Sequence, residues 1–120
     1  MGNINETLEG AMNIEGARGA ALADFDSGMC LGSQGGSASF DLEVAAAGNA
    51  EVVRSKHKVM SQLGLVDEIE DILISLGKEY HLIVPITGEK LFLYLALSRA
   101  NANLALARHK ARALVKDLEV

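Results

Sequence analysis

Tryptophan is absent from this chain of 120 residues, cysteine and proline occur once each, and aromatic residues make up 4% of the sequence. Each shortage removes a class of protein. A lone thiol, Cys30, cannot form an internal disulfide, so the fold must be held by its core, and a reducing compartment is the natural setting. Sparse aromatics leave few platforms on which nucleobases could stack. Basic residues are outnumbered, with 11 Lys and Arg against 16 Asp and Glu and a formal charge of −5. A chain of that sign lacks the clustered cations that phosphate backbones require, so nucleic acid is not an expected partner. No apolar run approaches the ~20 residues of a spanning helix. The opening MGNINETLEG has neither the basic start nor the apolar stretch of a secretory leader. The expectation is a soluble, cytoplasmic protein with no membrane partner.

What the chain does have is apolar side chains, 49% of the total. One domain over residues 1–120 can then hide roughly two-thirds of its unfolded surface. Ile4, Leu8, Ala11 and Met12 recur at helical spacing and predict a short helix ending near Gly16. ARGAALADF (17–25) reads as a strand of small residues, DSG as a turn and MCLGS (29–33) as a short returning strand. The flexible point is expected between Gly32 and Ser39.

A long helix is predicted from Asp41 to about Leu63, capped by Ser39 or Asp41 and carrying Asp41 and Glu43 where the helix dipole favours negative charge. Its apolar residues fall on two faces. Leu42, Ala45, Ala46, Val53 and Met60 define one; Val44, Gly48, Val52 and Val59 define the other. A helix packed only on its own sheet needs a single stripe, so two stripes imply a second packing partner, and the small residues AAAG (45–48) would let it come close.

The next segment is β-rich: EDILISL (70–76), a Gly77-Lys78 turn, YHLIVPI (80–86), the turn TGEK and LFLYLAL (91–97). LFLYLAL is apolar throughout, the mark of a strand covered on both faces. Pro85 requires that its strand end there or lack a neighbour at that point. SRANANLALARHKARALVKDLEV closes the chain as a second long helix. Leu104, Ala107, Ala111, Leu114 and Leu118 form its apolar seam, and Arg108, Arg112 and Lys116 an adjacent basic stripe. The order α-β-β-α-β-β-β-α is solved most simply by one five-stranded antiparallel sheet with helices packed on it.

Motifs that carry chemistry are incomplete. GSQGGS (32–37) has no Lys-Ser/Thr after its glycines, and the helix it precedes begins with two acids that repel phosphate. Cys30 has no basic neighbour in sequence to activate it. His57, His81 and His109 share no ligand spacing; the first and last sit in charged helix stretches, and His81 is expected on the less buried side of its strand. Asp67, Glu68, Glu70 and Asp71 read as charges that discourage indiscriminate pairing of an edge strand. The basic stripe reads as a solvated face. The sequence therefore points to no enzyme, with no catalytic residue, metal or cofactor.

Three segments in this order resemble the roadblock/dynein light chain family: IEGARGAALADFDSG (14–28), GKEYHLIVPITGEKLFLYLAL (77–97) and ANANLALAR (100–108). The resemblance runs from about Ile4 to Leu118. It implies a roadblock-like, profilin-like α/β fold working as a homodimer, in which the third strand pairs with its twin and the long central helix packs against its counterpart. On this chain the expected interface is Ala45, Ala46, Gly48, Val52, Val53, Val59, Ile72, Leu73, Ile74 and Ser75. Like charges directly opposite one another destabilise a sheet, so strand pairing should centre near Ile72 to Ser75, or the preceding acids should point to solvent. The resemblance to bacterial members further implies a non-enzymatic adaptor or regulator of a small Ras-like GTPase. A second reading from the residues is a small-ligand sensor of related α/β layout, which would need a cavity with convergent polar groups.

Overall fold

The computed structural model describes residues 2–119. Helix α1 (Ile4–Met12) is followed by β1 (Ala17–Asp24) and β2 (Cys30–Gly35), then α2 (Leu42–Leu63), then β3 (Ile72–Ser75), β4 (Glu79–Pro85) and β5 (Leu91–Ser98), and finally α3 (Leu104–Asp117). All five strands form one antiparallel sheet in the order β2-β1-β5-β4-β3. The expected fold and element order are those observed.

Alternation along the strands builds two cores. Leu93, Leu95 and Leu97 of β5, Leu82 and Val84 of β4, and Ala20 and Leu22 of β1 face α1 and α3. Phe92, Tyr94, Ala96, Ile83, Ala21 and Ala23 face α2. β5 is the middle strand, and Leu91 to Leu97 are all buried, which accounts for its unbroken apolar run. On β1, alanine and glycine let α2 lie close: a Cβ on Gly19 would come within 2.9 Å of Leu42 Cδ2.

Local signals set most element ends. Asp41 caps α2 by accepting from Glu43 N at 2.9 Å and Val44 N at 3.3 Å, and Gly64 stops the helix in the left-handed conformation, φ +69°, which glycine adopts without strain. Asn3 and Glu6 cap α1 reciprocally, with Glu6 N bonding Asn3 Oδ1 at 2.9 Å and Asn3 N bonding Glu6 Oε1 at 3.2 Å. Pro85 is the last residue of β4, and β3 begins only opposite Ile83. Its missing N–H therefore falls where no neighbouring strand needs it.

Several boundaries differ from the sequence reading. α1 stops at Met12, where Asn13 caps it. β2 continues through Gln34 and Gly35, so half of the presumed mobile loop is paired strand. Gly35 is needed there because its φ is +80° and a Cβ would lie 2.8 Å from Arg18 O. α3 starts at Leu104, where the Asn103 side chain accepts from Leu106 N at 3.1 Å; the segment before it is the end of β5 and a turn.

Candidate interaction surface

Helix α2 turns one stripe to the sheet and leaves the other uncovered. Leu42, Ala46, Ala50, Val53 and Met60 are buried. On the outward stripe Val44 is 68% exposed, Val59 42% and Leu63 67%, and nothing lies within 4 Å of a Cβ built on Gly48. The chain leaves the helix through Leu65 and Val66, both exposed. Isolated surface apolar residues are ordinary, but a contiguous set on one helix stripe marks a contact surface.

This stripe runs beside the free edge of the sheet. β3 pairs with β4 on one side only. Ile72 and Ile74 pack partly under α2, while Leu73 is half-buried and Ser75 exposed. Between helix and strand lies a groove of about 540 Å³ whose apolar lining includes Val52, Met60, Leu65 and Ile72. A strand of four residues whose outer edge has free backbone groups, flanked by an apolar groove, has the chemistry of a strand-pairing surface.

The start of β3 is fastened from behind by an ion-pair cluster. Asp71 accepts from Arg108 Nε at 3.0 Å and Nη2 at 2.9 Å, and from Arg112 Nη2 at 2.6 Å. Its side chain is only 6% exposed. Burial opposes ionisation of Asp71, but the hydrogen bonds from Arg108 and Arg112 outweigh it and hold the carboxyl below its ordinary value. Two expectations are corrected here. Asp71 is not a solvated edge charge, because it turns under α3, and Arg108 and Arg112 are not a free basic face, because they are engaged by it. Asp67, Glu68 and Glu70 do point to solvent.

A second polar cluster lies on the α2 side of the sheet. His81 Nε2 is 2.9 Å from Glu79 Oε1, and Tyr94 Oη is 3.1 Å from His81 Nδ1. Arg18 bonds the other oxygen of Glu79, and the Phe40 ring stacks over His81 with centroids 6.2 Å apart. Burial, then the charge on Arg18, keeps His81 below the usual imidazole range. A neutral ring with its proton on Nε2 donates to Glu79 and accepts from Tyr94, which satisfies both contacts. Burial pushes the Tyr94 phenol up to about 12. His81 is thus part of a packed network, with its side chain 17% exposed, and not on the open side of its strand.

The ten residues expected at the interface divide between two environments. Gly48, Val59 and Ser75 are exposed, and Ala45, Val52, Ile72, Leu73 and Ile74 are half-buried along the groove and edge. Ala46 and Val53 are wholly buried against the chain's own sheet and present no surface to a second molecule, a correction to the sequence reading. Val44, Leu63, Leu65 and Val66 extend the surface beyond those ten. Helical spacing from Val59 reaches Leu63, whereas the exposure of Leu65 and Val66 depends on how the chain leaves α2. Among the described residues no group of three or more His, Cys, Asp or Glu is placed to hold a metal, and no helix is long and apolar enough to cross a membrane.

The architecture is that of the roadblock/LC7 domain. A crystal structure of such a domain from Streptomyces avermitilis superposes with a TM-score of 0.81 at 14% identity, over 96% of this chain and 93% of that one. Myxococcus xanthus MglB superposes with a TM-score of 0.75 at 16% identity, over 92% and 77% of the two chains. The gliding protein MglB of Thermus thermophilus gives 0.69 at 17%, over 94% and 88%. No protein-family model matches the chain, and no curated protein matches it in sequence. At these identities the likeness is one of fold.

Proposed function

We propose that the protein is a non-enzymatic homodimeric adaptor that regulates a small Ras-like GTPase. The observation that carries this reading is the uncovered apolar stripe Val44–Gly48–Val59–Leu63 on α2, lying beside a sheet edge that is also uncovered. A second copy can cover both at once, by antiparallel packing of α2 on α2 and pairing of β3 on β3. A stable interface of this kind needs at least ~1,000 Å² of buried surface. The GTPase is the partner that the sequence resemblance implies, and the fold shared with MglB proteins supports it. In this reading the protein acts as a platform, and its two polar clusters, at Asp71 and at His81, serve to hold the fold through ion pairs and hydrogen bonds.

The ligand-sensor reading has less behind it. The cavities beside Ile86 and Val115 and beside Val52 and Ile72 are open grooves on the outside of the domain, and the two faces of the sheet are filled by apolar side chains. The test is capture of purified small Ras-like GTPases, each loaded with GDP or a GTP analogue, on the immobilised protein. The adaptor reading predicts retention of one GTPase at least tenfold stronger in one nucleotide state. Equal, background-level retention of both states across the panel, with a bound small molecule found by native mass spectrometry, contradicts it.

A further inference from the structure

The polar cluster around His81 reaches the connection between β2 and α2. Residues 36–41 close on themselves, with Ser37 N bonding Phe40 O at 3.2 Å and Phe40 N bonding Ser37 O at 3.0 Å. Gly36 N ties this small loop to the sheet by donating to Arg18 O at 2.9 Å. The Phe40 ring ties it again, stacked on His81 at an interplanar angle of 25°, with the Arg18 guanidinium 5.8 Å from its centroid. Phe40 is half-buried, whereas Ser37, Ala38 and Ser39 are exposed. We propose that His81 works as a proton-operated latch, holding Phe40 and the connection 36–41 on the sheet while its ring is neutral and releasing them when the ring is protonated. The latch lies within one chain and needs no second copy.

A neutral ring fits this site at both nitrogens, donating from Nε2 to Glu79 and accepting at Nδ1 from the Tyr94 hydroxyl. A second proton must go on Nδ1, which turns that acceptor into a donor facing another donor. Tyr94 is wholly buried, and among the described residues its hydroxyl has no hydrogen-bond partner but His81. Protonation therefore leaves a phenol proton unpaired in the core, a costly state. The charged and titratable groups facing the ring come from three strands. β4 supplies Glu79, which alone would favour the imidazolium. β1 supplies Arg18, which bonds the other oxygen of Glu79 and whose charge opposes a second cation. β5 supplies Tyr94. β3 sets Ile74 across from His81, the inner stripe of α2 is apolar, and Asp41, next to Phe40, is committed to Glu43 N and Val44 N. Burial and Arg18 hold the ring below the ordinary imidazole value of about 6.5. The latch is thus fully closed above that value and opens as pH falls through the lower folded value. The protonated ring turns to water, Phe40 loses the surface it stacks on, and the loop lifts as a unit with its own hydrogen bonds intact.

Amide hydrogen exchange on the full chain, corrected for the intrinsic rate at each pH, tests the latch between about pH 7.5 and about pH 5. The Gly36 amide reports it, because its bond to Arg18 O is the one that breaks when the loop lifts. Its protection is expected to fall about tenfold over that range through local opening, while the amides of Leu93 and Leu95 in the central strand stay protected. His81→Gln keeps a donor and an acceptor but cannot titrate, and should hold Gly36 protection level with pH. Arg18→Gln should move the opening to higher pH, because Glu79 then favours a charged ring unopposed. Constant Gly36 protection in the wild type overturns the latch, and so does an equal fall in His81→Gln. Loss of protection at Leu93 and Leu95 together with Gly36 overturns it too, since the whole sheet is then opening. A midpoint unmoved or lowered in Arg18→Gln has the same force. Should His81→Gln fail to fold, the wild-type ring decides: the imidazole nitrogen signals of His81 must titrate with the midpoint of the Gly36 change, and separate midpoints overturn the proposal.

Discussion

At the scale of single residues, Asp71 shows why charge in a sequence is poorly read by counting. Four acids within five positions looked like one solvated cluster, yet one of them is drawn under α3 by two arginines 37 and 41 residues away. The i, i+4 spacing of Arg108 and Arg112 was visible, and so was the acid; nothing local joined them. Removing the charge while keeping the shape tests this fastening. Asp71→Asn is expected to lower stability at pH 7 by about 1–3 kcal/mol, the usual cost of losing charge-assisted bonds, as measured by urea unfolding. The pH dependence has a definite sign. Because the folded carboxyl is held below the ordinary value of about 3.9, its stabilisation is fully present above that value and is lost as pH falls through the lower folded value. The gap between wild type and Asp71→Asn should close below about pH 4, and a gap independent of pH would contradict the ion-pair account. His81 teaches the same lesson. Its neighbours Tyr94, Phe40 and Arg18 come from β5, the loop before α2 and β1, and only the completed sheet brings them together.

At the scale of elements, α2 was the most legible part of the chain, because period 3.6 with two apolar stripes can be read without a structure. What the sequence left open was which stripe the sheet takes. The structure gives it Ala46, Ala50 and Val53, whose small size lets the helix lie close on Ala21 and Ala23 of β1. Two residues placed at the interface by the pattern therefore belong to the core. The same charge should then act in opposite ways on the two stripes. Val53→Glu buries an unpaired carboxylate and is expected to cost more than about 3 kcal/mol, giving insoluble or unfolded protein. Val59→Glu should keep native circular dichroism and a melting temperature within a few degrees of wild type once compared as monomer. Equal damage from both substitutions would mean that the stripes are not distinct in energy. The strands were legible for different reasons: LFLYLAL announced the central strand through its lack of alternation, and Pro85 announced an end. The start of α3 was not, since SRANAN has no feature that separates a turn from a first helical turn until Asn103 is seen capping Leu106 N.

At the scale of the whole molecule, the fold is finished on two sides and unfinished on a third. α1 and α3 close one face of the sheet, α2 closes the other, and β2 ends one edge with α1 packed close beside it, where Ile4 and Leu8 sit against Gly32. The remaining edge, β3 with the outer stripe of α2, is where apolar side chains and free backbone groups coincide. In the proposed homodimer a second copy related by a two-fold axis would cover the helix and the strand in one contact, because both lie on the same flank and a symmetric interface places each against its own counterpart. The paired sheet would then present a broad platform to a GTPase.

The most direct measurement is the mass of the purified protein in solution across a dilution series, wild type beside Val44→Glu and Val59→Glu. The account predicts a dimer for the wild type that dissociates only on strong dilution, and folded monomers for both variants. A wild type that stays a well-folded monomer at about 100 µM, or variants that remain dimers of unchanged affinity, would contradict it.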